Sequence, residues 1–335
     1  MARRPVQAPP LQEPPPAAGE DAAPVPDEDE VSALTLHVTH VVVSTSRGFA
    51  WVRARDVVTG LADPQSPVVR CQNRPGVHCV VGDRVEVENG YVVGVGARSN
   101  TLSRAVGPKR QLLAAHVDRV VLVLAHGKAL REGFLMRGLI ACTLQHLRPL
   151  VVVNKLDLDD GGKTETQLSA WRALGIACVG TSAVTGQGVA EFTEAVAKGS
   201  SALLGHSGVG KSTLINAIRT GALRKTGGVD WQGKGRHITT MAEAIVQPGS
   251  MLLDLPGIRE LGLWGASTEE VLNAFPDVKT AAAGCQYTNC SHGEDALGCA
   301  VWAAVGQGTV DRGRVTLCLR MQHSVAMGTE GGGRI

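Results

Sequence analysis

The chain has 335 residues, 44% of them hydrophobic, and a formal net charge of +2 at pH 7. This length and composition allow about two or three domains with hydrophobic cores. No segment approaches the roughly 18 apolar residues of a membrane span, and Pro-rich sequence follows Arg3 and Arg4 where a secretory signal would have its apolar core, so we expect neither a membrane protein nor a secreted one.

The first 32 residues are rich in Pro, Ala and acidic side chains. They offer almost nothing to bury, so we predict a disordered tail over residues 1–32. Residues 1–30 carry seven acids against two Arg, which leaves a charge of +7 on the rest of the chain. A moderately basic body with an acidic tail permits a nucleic-acid partner without requiring one.

Residues 33–104 are predicted to form a small all-β domain. Leu34, Leu36 and Val38 alternate with polar residues, and further short runs follow between Gly, Pro-Gly and Asn-Gly turns. Short strands with no helical period indicate a small barrel or a sandwich. These further runs lie at 49–58, 67–71, 77–81, 84–88 and 91–96.

Residues 105–266 are predicted to form an α/β domain with a doubly wound sheet, because apolar strand-like runs alternate with helix-compatible segments. The strands are predicted at 118–125, 149–153, 176–180, 201–204, 241–246 and 250–254. The helices are predicted at 130–146, 165–174, 187–198 and 211–220. Residues 267–335 are predicted to be α-helical, with an interruption by a Cys/His cluster at 285–299.

Residues 205–213 fit the phosphate-binding pattern G-x-x-x-x-G-K-S/T between a predicted strand and a predicted helix. Its backbone N–H groups would face phosphate oxygens, Lys211 would add a positive charge, and the Ser212 hydroxyl would bind Mg²⁺. The alternative is a Gly-rich turn with an exposed Lys. The candidate nucleotide contacts are Gly205, His206, Ser207, Gly208, Val209, Gly210, Lys211, Ser212 and Thr213.

The sequence Asp-Leu-Pro-Gly begins at Asp254, at the end of an apolar run and 43 residues after Lys211. A carboxylate at this distance from a phosphate loop can hold the Mg²⁺ shell, and the Gly can present its N–H to a γ-phosphate. Alone, this short pattern would more often be an ordinary strand-to-turn junction. Together with the phosphate loop, it predicts Asp254 as a magnesium-binding residue.

The sequence Asn-Lys-Leu-Asp at 154–157 follows the predicted strand 149–153. The Asp157 carboxylate can accept two hydrogen bonds from the N1–H and amino edge of guanine, and adenine cannot make this pair. Asn154 would orient the loop and Lys155 would cover the base. Ser182 and Ala183 follow the next strand, where the backbone would reach the guanine O6. These residues predict GTP and GDP as ligands.

The order of these motifs is unusual. In ordinary GTPases the phosphate loop comes first, followed by the switch Thr, Asp-x-x-Gly, Asn-Lys-x-Asp and Ser-Ala. Here the guanine-recognition motifs at 154 and 181 precede the phosphate loop at 205, a switch at about 236–240 and the Asp at 254. The spacing within each half is sound, so the sequence predicts a circularly permuted domain.

This order and its neighbouring residues closely resemble the RsgA/YjeQ family of small-ribosomal-subunit-dependent GTPases. The resemblance covers about residues 33–320, and its marks lie at 82–87, 102–104, 208–212, 235–237 and 256–260. It implies an N-terminal OB-fold, a permuted GTPase domain and a C-terminal zinc domain. It also implies GTP hydrolysis stimulated by the small ribosomal subunit, contact with its rRNA, and action late in maturation of the 30S subunit.

The chain departs from the family at its switch, which reads Arg-His-Ile-Thr-Thr at 236–240 where the family usually has three consecutive Thr. This departure leaves open which Thr of the switch contacts Mg²⁺, and we favour Thr239. Ile258 follows Asp-Leu-Pro-Gly, where many GTPases carry a Gln that orients the attacking water. The resembling family is thought to use the His that matches His237, which is therefore our candidate catalytic residue.

Three Cys and one His cluster within fifteen residues, as Cys285, Cys290, His292 and Cys299. This ligand set closes a tetrahedral Zn²⁺ site with no vacant position, so we predict one structural zinc ion. The alternative is spare thiols beside a surface His. The other cysteines are scattered singly, which predicts reduced thiols in a cytoplasmic protein; they are Cys71, Cys79, Cys142, Cys178 and Cys318.

The residues leave three classes of function to compare. The first is a GTPase coupled to the small ribosomal subunit, acting as a monomer. The second is an RNA-associated module that only holds GTP, which the complete set of Asp157, Lys211, Ser212 and Asp254 argues against. The third is a signalling GTPase, which the flanking barrel and zinc module argue against, because both commonly contact RNA.

Overall fold

The computed structural model describes residues 37–106, 109–127, 132–159, 161–226, 242–255, 263 and 266–327. The predicted tail at 1–32 lies outside these residues. So do the switch residues His237 and Thr239 and the segment 256–260, so the roles assigned to them remain predictions.

The N-terminal part is a closed five-stranded barrel. Its strands are β1 (His40–Ser46), β2 (Phe49–Ala54), β3 (Val69–Asn73), β4 (Arg84–Glu88) and β5 (Tyr91–Val95). The neighbour order is β1-β2-β3-β5-β4, and β4 pairs back with β1. The β3–β5 pair is parallel and the others are antiparallel. This is the predicted OB-fold, and its core consists of Val42, Ala50, Val52, Cys71, Val85 and Val92.

Two strand predictions in the barrel were wrong. Val38 precedes the first strand, which begins at His40. Residues 77–81 are not a strand, although Val81 makes an isolated bridge to Ala114. The backbone N–H of Val80 instead donates to the Asp83 carboxylate at 2.7 Å, so the segment is held by a side chain and not by a strand ladder.

A hairpin that the sequence analysis did not predict follows the barrel. It consists of β6 (Thr101–Val106) and β7 (Lys109–Ala115). The Gln145 side chain, beyond the next helix, accepts from the backbone N–H and the hydroxyl of Ser103 at 2.7 and 2.8 Å. The hairpin is therefore anchored to the α/β domain.

Six strands form the sheet of the α/β domain, as predicted. They are β8 (Arg119–Ala125), β9 (Arg148–Asn154), β10 (Cys178–Gly180), β11 (Gly199–Leu204), β12 (Glu243–Gln247) and β13 (Ser250–Asp254). Their order is β10-β9-β8-β11-β13-β12, with only β12 antiparallel to its neighbour within this set. The helices are α1 (Glu132–Leu144), α2 (Lys163–Ala173), α3 (Val189–Ala195) and α4 (Lys211–Thr226).

The central strand β8 shows why the apolar runs are continuous. Val120, Leu122 and Leu124 belong to one buried cluster, whereas Val121 and Val123 belong to another. Successive side chains of a strand point to opposite faces, so both faces of the sheet are covered. This requires apolar residues at every position instead of at alternate ones.

The C-terminal part is helical, as predicted. Its helices are α5 (Thr268–Asn273), α6 (Pro276–Ala282), α7 (Ala300–Gly306) and α8 (Arg312–Ala326). A capping box begins α5, where Ser267 and Glu270 bond each other's backbone N–H groups. None of the helices in the described part of the chain is long and apolar enough to cross a membrane.

A buried arginine connects this helical part to the α/β domain. Arg314 on α8 is 8% exposed. Its guanidinium donates to both carboxylate oxygens of Asp277 on α6, at 2.7 and 2.9 Å, and to Glu132 in the first turn of α1 at 3.1 Å. One side chain thus fixes three helices from two parts of the fold.

Replacing this arginine should destabilise the protein. Arg314→Met leaves the Asp277 carboxylate without its cation, and we expect a loss of about 3 kcal/mol. Arg312→Met is the matched control, because Arg312 and its partner Glu294 have side chains 68% and 60% exposed and such a pair contributes under about 1 kcal/mol. Urea unfolding followed by circular dichroism measures both. Equal losses would contradict this role of Arg314.

Candidate nucleotide-binding and metal sites

Four strand ends bring the predicted motifs to one edge of the sheet. β9, β8, β11 and β13 are parallel neighbours, and β10 adds to β9 in parallel. Their carboxyl ends therefore lie side by side, which is where ligands bind in open α/β sheets. The Asn-Lys-Leu-Asp, Thr-Ser-Ala, phosphate-loop and Asp254 segments lie at the ends of β9, β10, β11 and β13, respectively.

The Asn154 side chain joins three of these segments. It is 2% exposed. Its amide nitrogen donates to the Val209 carbonyl in the phosphate loop at 3.0 Å. Its amide oxygen accepts from the Thr181 hydroxyl at 3.2 Å and from the Ala183 N–H at 3.1 Å. Gly210 permits this approach, because a Cβ there would collide with the Asn154 amide nitrogen.

Asp157 lies on the exposed side of the same edge, in a short 3-10 helix over Leu156–Leu158. Lys155 precedes it in the left-handed region, with φ 68°. The Ser182 hydroxyl donates to one Asp157 carboxylate oxygen at 2.5 Å. The carboxylate is thus oriented by a buried hydroxyl while it remains open to a ligand.

The phosphate loop connects β11 to α4. Gly208 and Gly210 have φ values of 84° and 95°, which few other residues adopt. The Lys211 ammonium donates back to the carbonyls of Gly205 and His206, at 2.6 and 3.3 Å. Within the loop Val209 is buried. The exposed loop residues are Ser207, Gly208, Ser212 and Thr213. Val209 can therefore serve a ligand only through its backbone.

Lys211 and Asp254 form the charged centre of this edge. Burial lowers the pKa of Lys211, an effect that the Asp254 charge opposes. Burial raises the pKa of Asp254, and the Lys211 charge opposes this shift in turn. Asp254 is 8% exposed at the end of β13. A carboxylate held largely out of water beside a phosphate loop suits a divalent cation.

The four predicted zinc ligands come together. Their ligand atoms all lie within 4.8 Å of one another. His292 Nδ1 is 3.6 Å from Cys285 Sγ and 3.7 Å from Cys299 Sγ, close to the ~3.6 Å expected for sulfur and nitrogen on one tetrahedral zinc. Burial lowers the pKa of His292, which favours the neutral imidazole that binds metals. The donor set and its spacing fit zinc.

Two positioning residues were missed at these sites. Thr181 belongs to the guanine-recognition motif at 181, but its hydroxyl, which contacts Asn154, was given no role. Trp302 donates its indole N–H to the His292 carbonyl at 2.8 Å, and His292 has a strained positive φ of 53°. A Trp three residues after the last Cys of the cluster was the available signal for this second contact.

The fold and this edge define a circularly permuted P-loop GTPase with an OB-fold barrel before it. A family model described as "RsgA GTPase" matches residues 95–264 of this chain. The small ribosomal subunit biogenesis GTPase RsgA of Haemophilus influenzae (strain PittGG) is 32% identical over 262 residues, 73% of this chain and 75% of that protein. The RsgA protein of Burkholderia mallei (strain SAVP1) is 33% identical over 271 residues, which are 78% of this chain and 86% of that protein. The chain belongs to the RsgA GTPase family.

Solved structures agree with this assignment. YjeQ from Thermotoga maritima superposes with a TM-score of 0.61 at 25% identity, covering 88% of this chain and 99% of that one. YloQ, described as a circularly permuted GTPase, gives a TM-score of 0.59 at 23% identity, with coverage of 89% and 98%. The second likeness supports the fold alone.

Neutralising Asp254 should stabilise the nucleotide-free protein. Its folded-state pKa is raised by burial, so the charge costs stability above that pKa, and the cost disappears below the unfolded-state value of about 4. Asp254→Asn should therefore raise the thermal unfolding midpoint at pH 7, by an amount that shrinks as the pH falls toward 4. Asp157→Asn, at an exposed position, is the control. A lower midpoint for Asp254→Asn at pH 7 would refute this reading.

Proposed function

We propose that this protein hydrolyses GTP to GDP and phosphate, with the small ribosomal subunit as its activating partner. The observation that carries the proposal is the Asn154 side chain, which joins the guanine-recognition segments to the phosphate loop. The relatives' names supply the ribosomal part. We propose a cytoplasmic, monomeric factor that contacts rRNA and acts late in maturation of the 30S subunit.

Guanine recognition is assigned to Asp157, with Lys155 covering the base. The carboxylate accepts from the N1–H and amino groups of guanine, and the backbone at Ser182 and Ala183 meets O6. The hydrogen bond from Ser182 supports this assignment because it fixes the Asp157 carboxylate before the base arrives. An adenine would leave these polar groups unpaired.

We assign phosphate binding to the backbone N–H groups of residues 205–213 and to the Lys211 ammonium. In the described residues Lys211 bonds to loop carbonyls, and it would exchange these for phosphate oxygens. Ser212, Asp254 and Thr239 would hold Mg²⁺, which when bound neutralises charge on the β- and γ-phosphates. Burial lowers the pKa of Lys211 and raises the pKa of Asp254, so a phosphate beside Lys211 and a cation beside Asp254 would each stabilise a charge that burial disfavours.

We assign the orientation of the attacking water to His237. Ile258 occupies the position after Asp-Leu-Pro-Gly and can neither donate nor accept a hydrogen bond. Something else must therefore orient the water, and free-enzyme turnover should be slow. An imidazole with a pKa near neutrality can orient or polarise water once its loop is ordered. In the competing interpretation His237 only packs or caps the loop.

Zinc is proposed to hold the Cys/His loop together. The four ligands leave no position for substrate water, so the ion would act structurally. Ala300 N–H donates to Cys285 Sγ at 3.4 Å and Trp302 orients His292. Such outer contacts orient ligands around a metal.

The assignment of Asp157 predicts a change in base preference. Asp157→Asn replaces an acceptor pair with one acceptor and one donor, which suits the N1–H and 2-oxo groups of xanthine and places a donor against the 2-amino group of guanine. We expect GTP affinity to fall by about 100-fold or more and xanthosine triphosphate affinity to rise. Titration of both nucleotides measures this, and xanthosine triphosphate serves as the internal control for folding. Unchanged GTP affinity would exclude Asp157.

The zinc assignment predicts one ion per chain and a local response to its loss. Cys290→Ala, or chelation, should unfold residues from about 280 onward because metal binding and local folding are coupled. GDP affinity should stay within a few-fold. Cys79→Ala, a half-buried thiol of the barrel, should retain the zinc. Elemental analysis and hydrogen exchange give the readouts, and zinc-free wild type, freshly purified under reducing conditions, would defeat the assignment.

The hydrolysis proposal is tested by single-turnover assays with and without small ribosomal subunits. Wild type should be slow alone and accelerated by the subunits. His237→Ala should bind GTP within a few-fold of wild type but lose most of the acceleration. No stimulation of wild type by the subunits would overturn the ribosomal function. Equal stimulation of both proteins would remove only His237 from the mechanism.

A further inference from the structure

The first turn of α1 contacts the phosphate loop through two aromatic rings. Phe134 on α1 is 7% exposed. The centroid of its ring is 4.9 Å from that of His206, and the two ring planes are tilted by 57°. Aromatic pairs favour tilted arrangements at centroid distances of about 4.5–7 Å. His206 is the second residue of the phosphate loop, and its carbonyl accepts from the Lys211 ammonium at 3.3 Å. The pair therefore supports the beginning of the loop from outside it.

The loop depends on such outside contacts because of its composition. Gly208 and Gly210 have positive φ values, and glycine restricts the backbone less than any other residue. The Asn154 amide holds the loop further along, at the Val209 carbonyl. Phe134 supports its beginning. A loop that is already held in one shape loses less conformational freedom when a ligand binds.

The same turn of α1 contacts the C-terminal helical part. Glu132, two residues before Phe134, accepts from Arg314 on α8 at 3.1 Å. Leu317, also on α8, lies over Gly133, where an added Cβ would be 3.9 Å from the Leu317 Cδ1 atom. Two consecutive residues of α1 thus contact α8, and the next residue contacts the phosphate loop.

The first turn is the part of α1 whose position depends most on its neighbours. The backbone N–H groups of a first turn have no acceptor within the helix. Further along, α1 lies directly on the central strand β8, because a Cβ on Gly138 would be 2.6 Å from the Leu122 Cδ2 atom. The body of the helix is therefore fixed on the sheet. Loss of the contact between Arg314 and Glu132 would release the turn that carries Phe134.

We propose that Phe134 is a positioning residue for the phosphate loop, and that the Arg314–Glu132 pair holds it in place. The docking of the C-terminal helical part then affects nucleotide affinity. This inference rests on the proposed function, because it takes the loop to bind the phosphates of a guanine nucleotide. Coupling between two sites is reciprocal, so a bound nucleotide would also favour the docked position of α8.

The first test titrates GDP into the full-length protein. Phe134→Leu should weaken GDP binding about threefold to tenfold, as expected for the loss of one aromatic pair. Leu139→Val is the matched control, because Leu139 is 8% exposed on the same helix. It should lower the thermal unfolding midpoint and leave GDP affinity unchanged.

A double-mutant cycle separates positioning from a general structural role. In a His206→Gln background, Phe134→Leu should cause no further loss of GDP affinity, because the ring that it supports is absent. A structural role would cause the same loss in both backgrounds. The unfolding midpoint of each variant is measured alongside.

The second test concerns the link to the C-terminal helical part. Glu132→Ala should weaken GDP binding by no more than Phe134→Leu does, and should have no further effect in the Phe134→Leu protein, because it acts through that ring. Glu294→Ala is the matched control. Its carboxylate binds Arg312 of α8 at 2.8 Å in an exposed pair, so GDP affinity should not change.

The outcomes divide clearly. Wild-type GDP affinity in Phe134→Leu, an equal loss in Leu139→Val, or an undiminished loss in the His206→Gln background overturns the positioning role. Wild-type affinity in Glu132→Ala overturns the link to the C-terminal helical part. Each of these results leaves the nucleotide assignment intact, since wild type still binds GDP. No GDP binding by wild type would overturn that assignment and this proposal together.

Discussion

The hydrogen bonds of one buried side-chain amide, that of Asn154, join the loops at the edge of the sheet where the nucleotide motifs lie. Asn154 contacts residues on both sides of the permutation: Thr181 and Ala183 in the half before the phosphate loop, and Val209 within that loop. Chain order is immaterial to such a contact. Parallel strands bring their carboxyl ends to one edge however they are connected, so the site survives permutation when the strand neighbours are kept.

The permutation places both flanking parts against the catalytic domain. The barrel strand β1 adds to β12 in antiparallel fashion, with Ser44 paired to Glu243, and the Ser44 hydroxyl donates to the Ala242 carbonyl at 2.9 Å. The helical part follows β13 and is tied to α1 through Arg314 and Glu132. Both flanking parts therefore contact elements that are close in sequence to Asp254 or to the predicted switch at 236–240.

The sequence predicted the α/β domain well because its signals are local and strong. Apolar runs mark the six strands, and each chemical motif lies at the carboxyl end of its strand. The Cys/His spacing likewise predicted four ligands that the structure brings within 4.8 Å. In these regions the apolar pattern and the local chemistry point to the same structure.

The barrel was harder to predict for a physical reason. Val77 and Cys79 pack against the barrel core, so the alternation at 77–81 reports burial correctly, although the backbone there is held by Asp83. The hairpin β6–β7 is anchored by Gln145, a long-range contact that no local pattern encodes.

The most direct test of the account is the GDP affinity of Asn154→Ala. Removing three buried hydrogen bonds that join the loops should weaken GDP binding by about 100-fold or more, because each abandoned buried group costs about 1–3 kcal/mol. Thr181→Val, which removes one of the three, should weaken it less, and Leu158→Ala, at a position 58% exposed in the same loop, should leave it unchanged. A folded Asn154→Ala protein that binds GDP within threefold of wild type would contradict the account.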